Sequence, residues 1–323
     1  MVAAGVVCWR RTPDGELELL LVHSARWGDW SWPKGKRQPG ETLPETAVRE
    51  VREESGVRAE LGRRLPAVSY LLPDGTAKTV HYWVGQALDS GPRTASATEI
   101  TDVAWFPVPA ARERLTRPSD RPLLDALLAL AERGRLETRP LLVLRHAKAR
   151  KRANWPGEEA DRPLTRTGLG QAESLPGLLA CWSPQRLLSS PWHRCTQSLQ
   201  PYLDRREPIT GRVLDPPELV PLLSEQGLRN HPERIGPMVT GLLADDRSAL
   251  ICTHRPVLAA VIETLAESTA LAVRNQLPQS NPWLAPAEIL VVHTSFQLHA
   301  RRVISRIHSV EFYRGEPVRS ARG

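Results

Sequence analysis

The chain has 323 residues, of which 41% are apolar and 24% are charged, and this ordinary globular composition argues against a disordered protein. Its length predicts two domains of roughly 100–200 residues each. No apolar run approaches the roughly 20 residues of a membrane span, and the first residues, MVAAGVVCWRR, lack the features of a signal peptide. The four cysteines match no CxxC metal spacing, so we expect reduced, structural thiols in a cytoplasmic protein.

The charge is unevenly distributed along the chain. Residues 1–137 hold 19 basic and 19 acidic side chains, so the whole net charge of +7 lies in residues 138–323. A basic half favours anionic partners. Because no long run of like charge suggests a nucleic-acid-binding arm, we expect small phosphorylated molecules and no direct contact with nucleic acid.

The first half predicts strands AAGVVCWR and ELELLLVHS around the turn TPDG, then a Trp-rich loop and a helix from Leu43 to Ser55. Strands near 62–71 and 78–88 and the strand VAWFPV follow. A leucine-rich helical stretch then ends at Gly134. The polar segment RLETRP precedes a new buried strand, so the predicted domains are residues 1–137 and 138–323.

The second half alternates short apolar runs with helical stretches. The apolar runs are LLVLRH, RLLSS, ALICTH and EILVVHTS, and the clearest helical stretches are TGLGQAESLPGLLACW and PVLAAVIETLAE. Such alternation predicts an α/β domain in which helices cover a sheet of largely parallel strands.

Three glutamates near the end of the first helix carry the first chemical signal. Glu50, Glu53 and Glu54 stand at i, i+3 and i+4, which places their carboxylates on one helix face. Three such acids alone more often mark a solvated face. As a group, however, they offer the oxygen-only ligand set that suits Mg²⁺ or Mn²⁺, ions that also bridge substrate phosphates.

The surrounding segment, GKRQPGETLPETAVREVREESGV, matches the Nudix box G-x5-E-x7-R-E-U-x-E-E-x-G-U at every fixed position. The matching residues are Gly35, Glu41, Arg49, Glu50, Val51, Glu53, Glu54, Gly56 and Val57. Residues 1–137 therefore resemble a MutT-like Nudix hydrolase. The resemblance implies an α/β/α sandwich that hydrolyses a nucleoside diphosphate linked to another group.

The resemblance also implies residue roles. Glu50, Glu53, Glu54 and the Gly35 carbonyl would bind the divalent ion, Glu53 and Arg49 would be catalytic, and Arg49 would orient the carboxylates. The family often takes another acid from a later loop, and Glu99 stands where that metal ligand normally falls.

Further residues of the first half are candidate substrate contacts. Lys34 and Lys36 lie beside the predicted ion and present point charges suited to phosphate oxygens. Trp30, Trp32 and Tyr82 are candidates for stacking on a base, although aromatic burial alone would also explain them.

In the second half, cationic and imidazole groups follow three predicted strands. Arg145 and His146 end the first, Ser189, Ser190 and Arg194 follow another, and His254 follows a third. Open α/β folds bind ligands at the carboxyl ends of their strands, and such groups together describe a phosphate pocket.

Residues 140–323 resemble the SixA-like branch of the histidine phosphatase superfamily, a phosphoglycerate-mutase-like α/β fold. The resemblance implies that His146 becomes phosphorylated, Arg145 and Arg194 clamp the phosphate, and His254 assists. Arg255 replaces the family's usual glycine and could either extend the anion site or narrow the pocket. Glu225 is our candidate proton donor for the leaving oxygen.

The two resemblances together are typical of actinobacterial MutT-type sanitising hydrolases, which act on 8-oxo-guanine nucleotides and diadenosine polyphosphates. We expect a Mg²⁺-dependent (or Mn²⁺-dependent) hydrolase that converts 8-oxo-(d)GTP to the diphosphate and thereby protects the genome. The alternatives are a diadenosine polyphosphate or inositol pyrophosphate hydrolase, and a second domain that only binds nucleotide or a partner. A homo-oligomer is compatible with this interpretation.

Overall fold

The computed structural model describes residues 1–96, 98–210, 215–299 and 302–315, with side chains except those of 206–210, 296–299 and 302–304. The chain divides into two compact units, Met1–Glu137 and Thr138–Gly323. Both are mixed α/β domains, as the sequence predicts. Within the described residues, no helix is both long and apolar enough to cross a bilayer.

The first unit is built on one mixed sheet. Its strands are β1 (Val2–Arg11), β2 (Leu17–Ser24), β3 (Asp29–Ser31), β4 (Lys34–Lys36), β5 (Val57–Arg64), β6 (Val68–Leu71), β7 (Ala77–Ser90) and β8 (Ile100–Pro107), and its helices are α1 (Leu43–Ser55), α2 (Val108–Arg114) and α3 (Arg121–Glu132). The central strands β1 and β7 run parallel, whereas β2 and β4 pair with β1 in the antiparallel orientation.

Helices cover both faces of this sheet. Val7 and Trp9 of β1 join Leu123 and Leu127 of α3 in one core cluster. On the opposite face, α1 packs against β1. Because strand residues alternate between the two faces, both alternating sets of β1 are buried, and the unit is the expected α/β/α sandwich.

Local signals fix both ends of α1. The hydroxyl of Thr42 accepts from the Glu45 N–H while the Glu45 carboxylate accepts from the Thr42 N–H, which is a complete capping box. At the other end Gly56 adopts φ 75°, a left-handed conformation that favours glycine. The helix therefore begins and ends where the sequence predicts.

The leucine-rich stretch that follows β8 is not one helix. It divides into α2 and α3, with Leu115 leaving helical geometry between them. Pro118 accounts for the break, because proline disfavours helical geometry at the residue before it and Arg117 is extended.

The second unit also has one central sheet. Its strands are β9 (Arg139–Arg145), β10 (Arg186–Ser189), β11 (Glu218–Leu219), β12 (Ala249–Thr253), β13 (Glu288–His299) and β14 (Arg302–Arg314), and its helices are α4 (Arg166–Glu173), α5 (Leu175–Ala180), α6 (His193–Thr210), α7 (Glu225–Asn230), α8 (Ile235–Ala244), α9 (Arg255–Glu267) and α10 (Leu271–Arg274). The strand order is β11-β10-β12-β9-β13-β14.

Four neighbouring strands of this sheet, β11, β10, β12 and β9, run parallel. The strand from EILVVHTS, β13, instead pairs with β9 and β14 in the antiparallel orientation. The carboxyl ends of β9, β10 and β12 consequently lie side by side. His146 N–H donates to Thr253 O at 3.0 Å and Ser190 N–H donates to Cys252 O at 3.0 Å, so the strand ends stay in register beyond the sheet.

Candidate functional sites

The site of the first unit begins where α1 approaches β4. Gly35 pairs with Ala4 of β1, and a Cβ at position 35 would lie 2.0 Å from the Glu50 carboxyl carbon. Only a residue without a side chain therefore lets the Glu50 carboxylate lie against this strand.

Arg49 joins three of the predicted acids. Its Nη1 lies 2.8 Å from Glu50 Oε1 and 2.8 Å from Glu53 Oε2, and its Nε lies 2.6 Å from Glu41 Oε1. One guanidinium thus holds two α1 carboxylates and ties the preceding loop to the helix. This is the arrangement that an orienting role for Arg49 requires.

Glu54 is the most perturbed acid of the cluster. Its Oε2 accepts from the Lys34 N–H at 2.9 Å. The pKa of Glu54 is raised to about 8, chiefly by burial, while Lys34 acts to lower it and the charges of Glu50 and Glu99 act to raise it. Burial also raises the pKa of Glu50, despite its ion pair with Arg49.

Glu99 lies in a loop that is fastened to the same helix. The Thr94 and Ala95 N–H groups donate to Glu53 O at 3.1 and 2.8 Å. The charge of Glu99 contributes to the raised pKa of Glu54. The loop therefore brings a fourth acid toward the α1 glutamates.

The donor set fits a hard divalent cation. Within the described residues, no group of three or more His, Cys, Asp or Glu side chains is arranged so that it could hold a metal ion. The Glu50 and Glu53 carboxylates face Arg49, while Glu54 faces the Lys34 backbone. However, burial raises the pKa values of Glu50 and Glu54, and a nearby cation would stabilise both groups as carboxylates. Oxygen ligands of this kind suit Mg²⁺ or Mn²⁺.

The predicted substrate contacts of this unit are placed differently. The Lys34 ammonium donates to Ser31 Oγ at 2.8 Å and to Trp32 O at 3.1 Å, whereas Lys36 is exposed. The prediction that Tyr82 contacts a base is wrong, because the residue is 1% exposed within the core. Trp32, 0% exposed, is excluded for the same reason.

Two buried aspartates were missed by the sequence analysis. Asp29 forms an ion pair with Arg117, and Asp120 lies before α3. Each has one buried carboxylate oxygen without a hydrogen-bond partner among the described residues. In the sequence, an aspartate just before a helix is most simply interpreted as an N-cap, so no other role is predicted for Asp120. In the structure, however, the Asp120 side chain forms no cap hydrogen bond.

In the second unit, His146 is set up as a neutral nucleophile. Its Nδ1 lies 2.7 Å from Ala147 O and must carry the proton, since a carbonyl only accepts. The Nε2 lone pair therefore faces Arg194 Nε, which donates at 3.3 Å. The pKa of His146 is lowered to about 3, chiefly by burial, with the charges of Arg194, Arg145 and Arg162 acting in the same direction and the hydrogen bond to Ala147 O acting against them.

Arg194 is fully buried at the centre of this site. Besides His146, its Nη1 donates to Glu159 O at 2.9 Å and its Nη2 donates to Glu225 Oε1 at 2.9 Å. Burial and the charge of Arg162 lower its pKa. The predicted proton donor, Glu225, is thus brought to the residue that contacts the nucleophile.

His254 completes the cluster from the end of β12. Its ring centroid lies 5.1 Å from that of His146, and its Nε2 lies 2.8 Å from Ser190 Oγ. When Ser190 donates to Nε2, Nδ1 carries the proton, and this buried atom has no partner in the described part of the chain. His254 can therefore donate one hydrogen bond to a bound anion.

Arg145 and Arg255 lie on the other side of the strand ends. Arg145 Nη1 donates to Leu284 O at 2.6 Å, and its buried Nε has no partner within the described residues. Burial and the neighbouring charge of Arg255 lower the pKa of Arg145. Arg255, the exposed first residue of α9, thus adds positive charge close to the predicted phosphate clamp.

An acidic residue that carries no signal in the sequence organises these cations. The Glu159 carboxylate lies 2.7 Å from Arg162 Nη2, 3.1 Å from Arg152 Nη2 and 3.2 Å from Arg194 Nη2. Glu159 begins a single 3-10 turn, Glu159–Asp161, which is too short to show a periodic pattern.

Comparisons with known proteins agree with this geometry. The NUDIX domain model matches residues 1–127, and the model of the histidine phosphatase superfamily (branch 1) matches residues 141–226. The 8-oxo-(d)GTP phosphatase of Mycolicibacterium smegmatis is 32% identical over 273 residues, which are 82% of this chain and 80% of that protein.

Two other similarities are shorter. Human diphosphoinositol polyphosphate phosphohydrolase 3-alpha is 46% identical over 63 residues, which are 19% of this chain and 37% of that protein. A solved NUDIX hydrolase from Nitrosomonas europaea has a TM-score of 0.34 and 23% identity, and the match covers 40% of this chain and 88% of that one.

Proposed function

Since this chain belongs to the Nudix hydrolases, fused to a histidine phosphatase domain, we propose that its first unit hydrolyses 8-oxo-(d)GTP to the diphosphate. The observation that carries the proposal is the cluster of Glu50, Glu53 and Glu54 beside Gly35, held by Arg49. The relative from M. smegmatis, which aligns over most of both chains, supports the oxidised guanine substrate.

The residues of this unit have separable roles in the proposed reaction. Glu50, Glu53, Glu54 and the Gly35 carbonyl would hold Mg²⁺ or Mn²⁺, with Glu99 as a further acid. When bound, the cation would supply positive charge for the substrate phosphates and would lower the pKa of the attacking water. Arg49 orients the carboxylates, and Glu53 accepts the proton that the water loses as it attacks phosphorus.

Substrate binding would use groups near the same cluster. Lys36 is exposed beside Gly35 and can pair with phosphate oxygens. Lys34 already donates to Ser31 and Trp32, so its charge acts from a fixed position.

We further propose that the second unit is a metal-independent phosphomonoesterase. The Nε2 lone pair of His146 attacks phosphorus, the bond to the leaving oxygen breaks, and that oxygen takes a proton from Glu225, which enters this step as the neutral acid. Arg145, Arg194 and His254 stabilise the charge on the remaining phosphate oxygens. Water then attacks phosphorus and gives a proton to the Glu225 carboxylate, the phosphorus–nitrogen bond breaks, and phosphate leaves with His146 and Glu225 both restored to their neutral forms.

A turnover comparison tests the proposed substrate. The full-length protein with Mg²⁺ is given 8-oxo-dGTP, dGTP or diadenosine tetraphosphate at equal concentration, and the products are identified by mass. We expect the highest kcat/KM for 8-oxo-dGTP, with 8-oxo-dGDP as the first product. Preference for diadenosine tetraphosphate, or for an inositol pyrophosphate added as a fourth substrate, would overturn the assignment.

A second assay addresses the phosphatase proposal. The same protein is given p-nitrophenyl phosphate, with the His146→Ala variant as the comparison. Turnover that depends on His146 supports the phosphatase, whereas no turnover with this ester or any nucleotide would indicate a domain that only binds.

A further inference from the structure

A groove of about 970 Å³ lies in the second unit beside the phosphatase cluster. Ser224 and Gln226 line it, and Glu225, which stands between them, directs its carboxylate at Arg194. The groove therefore shares a wall with the site proposed to transfer phosphate. No step assigned so far uses it.

Trp192 belongs to both regions. Its ring lies 5.0 Å from the His254 ring in an edge-on arrangement, and Arg194 Cζ lies 4.6 Å from the ring centroid. The same residue lines the groove and is 7% exposed. Two residues of the phosphatase cluster thus hold an aromatic wall of the groove in place.

Short contacts tie the remaining wall to the sheet. Thr253 Oγ1 donates to Leu223 O at 2.7 Å, and Thr253 immediately precedes His254. A Cβ on Gly227 would lie 2.2 Å from Pro221 O, so α7 packs directly on the turn before it. The Gly227 N–H also donates to Ser224 Oγ at 2.9 Å. The groove is therefore built on the backbone that positions the phosphatase cluster.

The lining has the chemistry of a base-binding pocket. Trp192, Leu222 and Met238 supply apolar surface, while the amides of Gln226 and Asn230 supply both donors and acceptors. A flat heteroaromatic ring that carries its own polar edge uses both kinds of surface.

We propose that this groove binds the base of a nucleoside monophosphate whose phosphate is attacked by His146. The proposal rests on the phosphatase activity proposed above and names its substrate class. Such a nucleotide forms when the diphosphate that the first unit is proposed to produce loses one more phosphate. The positive charge of Arg234, at the groove, suits an electron-rich base edge or a second anion.

Paired substrates test the groove in the full-length protein. Phosphate release is measured with guanosine 5′-monophosphate and with ribose 5-phosphate, which lacks the base. Because one base contact is worth about 1–3 kcal/mol, we expect kcat/KM for the nucleotide to be about 5- to 150-fold higher. Equal kcat/KM for the two substrates would overturn the proposal.

Three variants test whether the preference for the nucleotide over ribose 5-phosphate arises in this groove. Met238→Trp fills it and should raise KM for the nucleotide about tenfold without changing kcat for ribose 5-phosphate. Gln226→Ala and Asn230→Ala, at exposed positions, should act in the same direction while the fold is retained. Arg229→Ala, on the same helix but outside the lining, is the matched control. Unchanged nucleotide preference in all three lining variants would contradict the assignment.

A binding experiment separates the groove from the phosphatase proposal. Calorimetry with guanosine compares the unaltered protein with Met238→Trp, so that any binding to the first unit cancels. Loss of one binding event supports the groove even if neither phosphate ester is turned over, an outcome in which only the phosphatase proposal fails. Identical titrations of the two proteins would overturn the groove.

Discussion

The two sites are suited to phosphate chemistry through opposite charges. The first gathers Glu50, Glu53 and Glu54, and burial raises the pKa of Glu54 to about 8. The second gathers Arg145, Arg194 and His254 around His146, and burial lowers the pKa of His146 to about 3. Burial favours the neutral form in both cases. An acidic site needs a cation from solution before it can bind a polyphosphate, whereas an arginine site already holds the positive charge.

The two sites also differ in how far apart their residues lie in the sequence. The first site depends on one helix face and the strand beside Gly35, so most of its residues lie within 20 positions of one another. The second collects side chains from the ends of β9, β10 and β12, which are distant in sequence. Substitutions should accordingly separate the two activities.

Loss of the nucleophile should have the largest effect. His146→Ala should abolish formation of phosphohistidine and phosphatase turnover, because no other buried imidazole presents a lone pair beside Arg194 in the described residues. Triphosphate hydrolysis should be unchanged. The control is His193→Ala, an exposed histidine one residue before Arg194. If His146→Ala also stopped triphosphate hydrolysis, the two activities would be coupled.

Loss of one α1 carboxylate should have the next largest effect, on the other reaction. Glu53→Gln removes the proton acceptor and leaves Arg49 its partners Glu41 and Glu50, so the fold should persist. Hydrolysis of 8-oxo-dGTP should fall by about 10²–10⁴-fold. Glu113→Gln, an exposed acid of α2, should be silent. A fall shared by the phosphatase reaction would argue against two independent sites.

Replacing the planar guanidinium of Arg194 by the ammonium group of a lysine should have a smaller effect. A lysine at position 194 keeps the charge but cannot contact His146, Glu159 and Glu225 at once. Arg194→Lys should reduce phosphatase kcat by about 10²–10³-fold. Arg205→Lys, on the same helix, is the control. A silent Arg194→Lys would mean that charge alone suffices.

The smallest effect concerns pH. Because the pKa of His146 is lowered to about 3, its imidazole should remain neutral between pH 8 and pH 5, whereas an unperturbed histidine gains its proton near pH 6.5. Imidazole nitrogen NMR, assigned with His146→Ala, measures this directly. A titration of His146 near pH 6.5 would show that burial is not the dominant influence.

Sequence alone predicted the helix that carries the three glutamates of the first unit, because its geometry is local. A capped helix fixes the directions of side chains at i, i+3 and i+4, so Glu50, Glu53 and Glu54 follow from their spacing. Tyr82 was misassigned because helices cover both faces of the sheet, and a strand aromatic can then be buried on either face. Local sequence does not reveal which faces are covered.

In the second unit, the parallel strands predicted which side chains meet at one sheet edge, but not how they are held. Glu159 gathers Arg152, Arg162 and Arg194 from a 3-10 turn of three residues, which is too short for a periodicity that would predict its path. The base-binding groove beside Trp192 is likewise formed by elements distant in sequence.

The opposite charges of the two sites can be tested most directly by removing divalent metal from one preparation of the full-length protein. Hydrolysis of 8-oxo-dGTP and of p-nitrophenyl phosphate is measured before and after EDTA, and again after Mg²⁺ is restored. We predict that triphosphate hydrolysis disappears and returns, while His146-dependent ester hydrolysis continues throughout. Metal-free triphosphate hydrolysis at the original rate, or ester hydrolysis that stops with EDTA, would contradict this account.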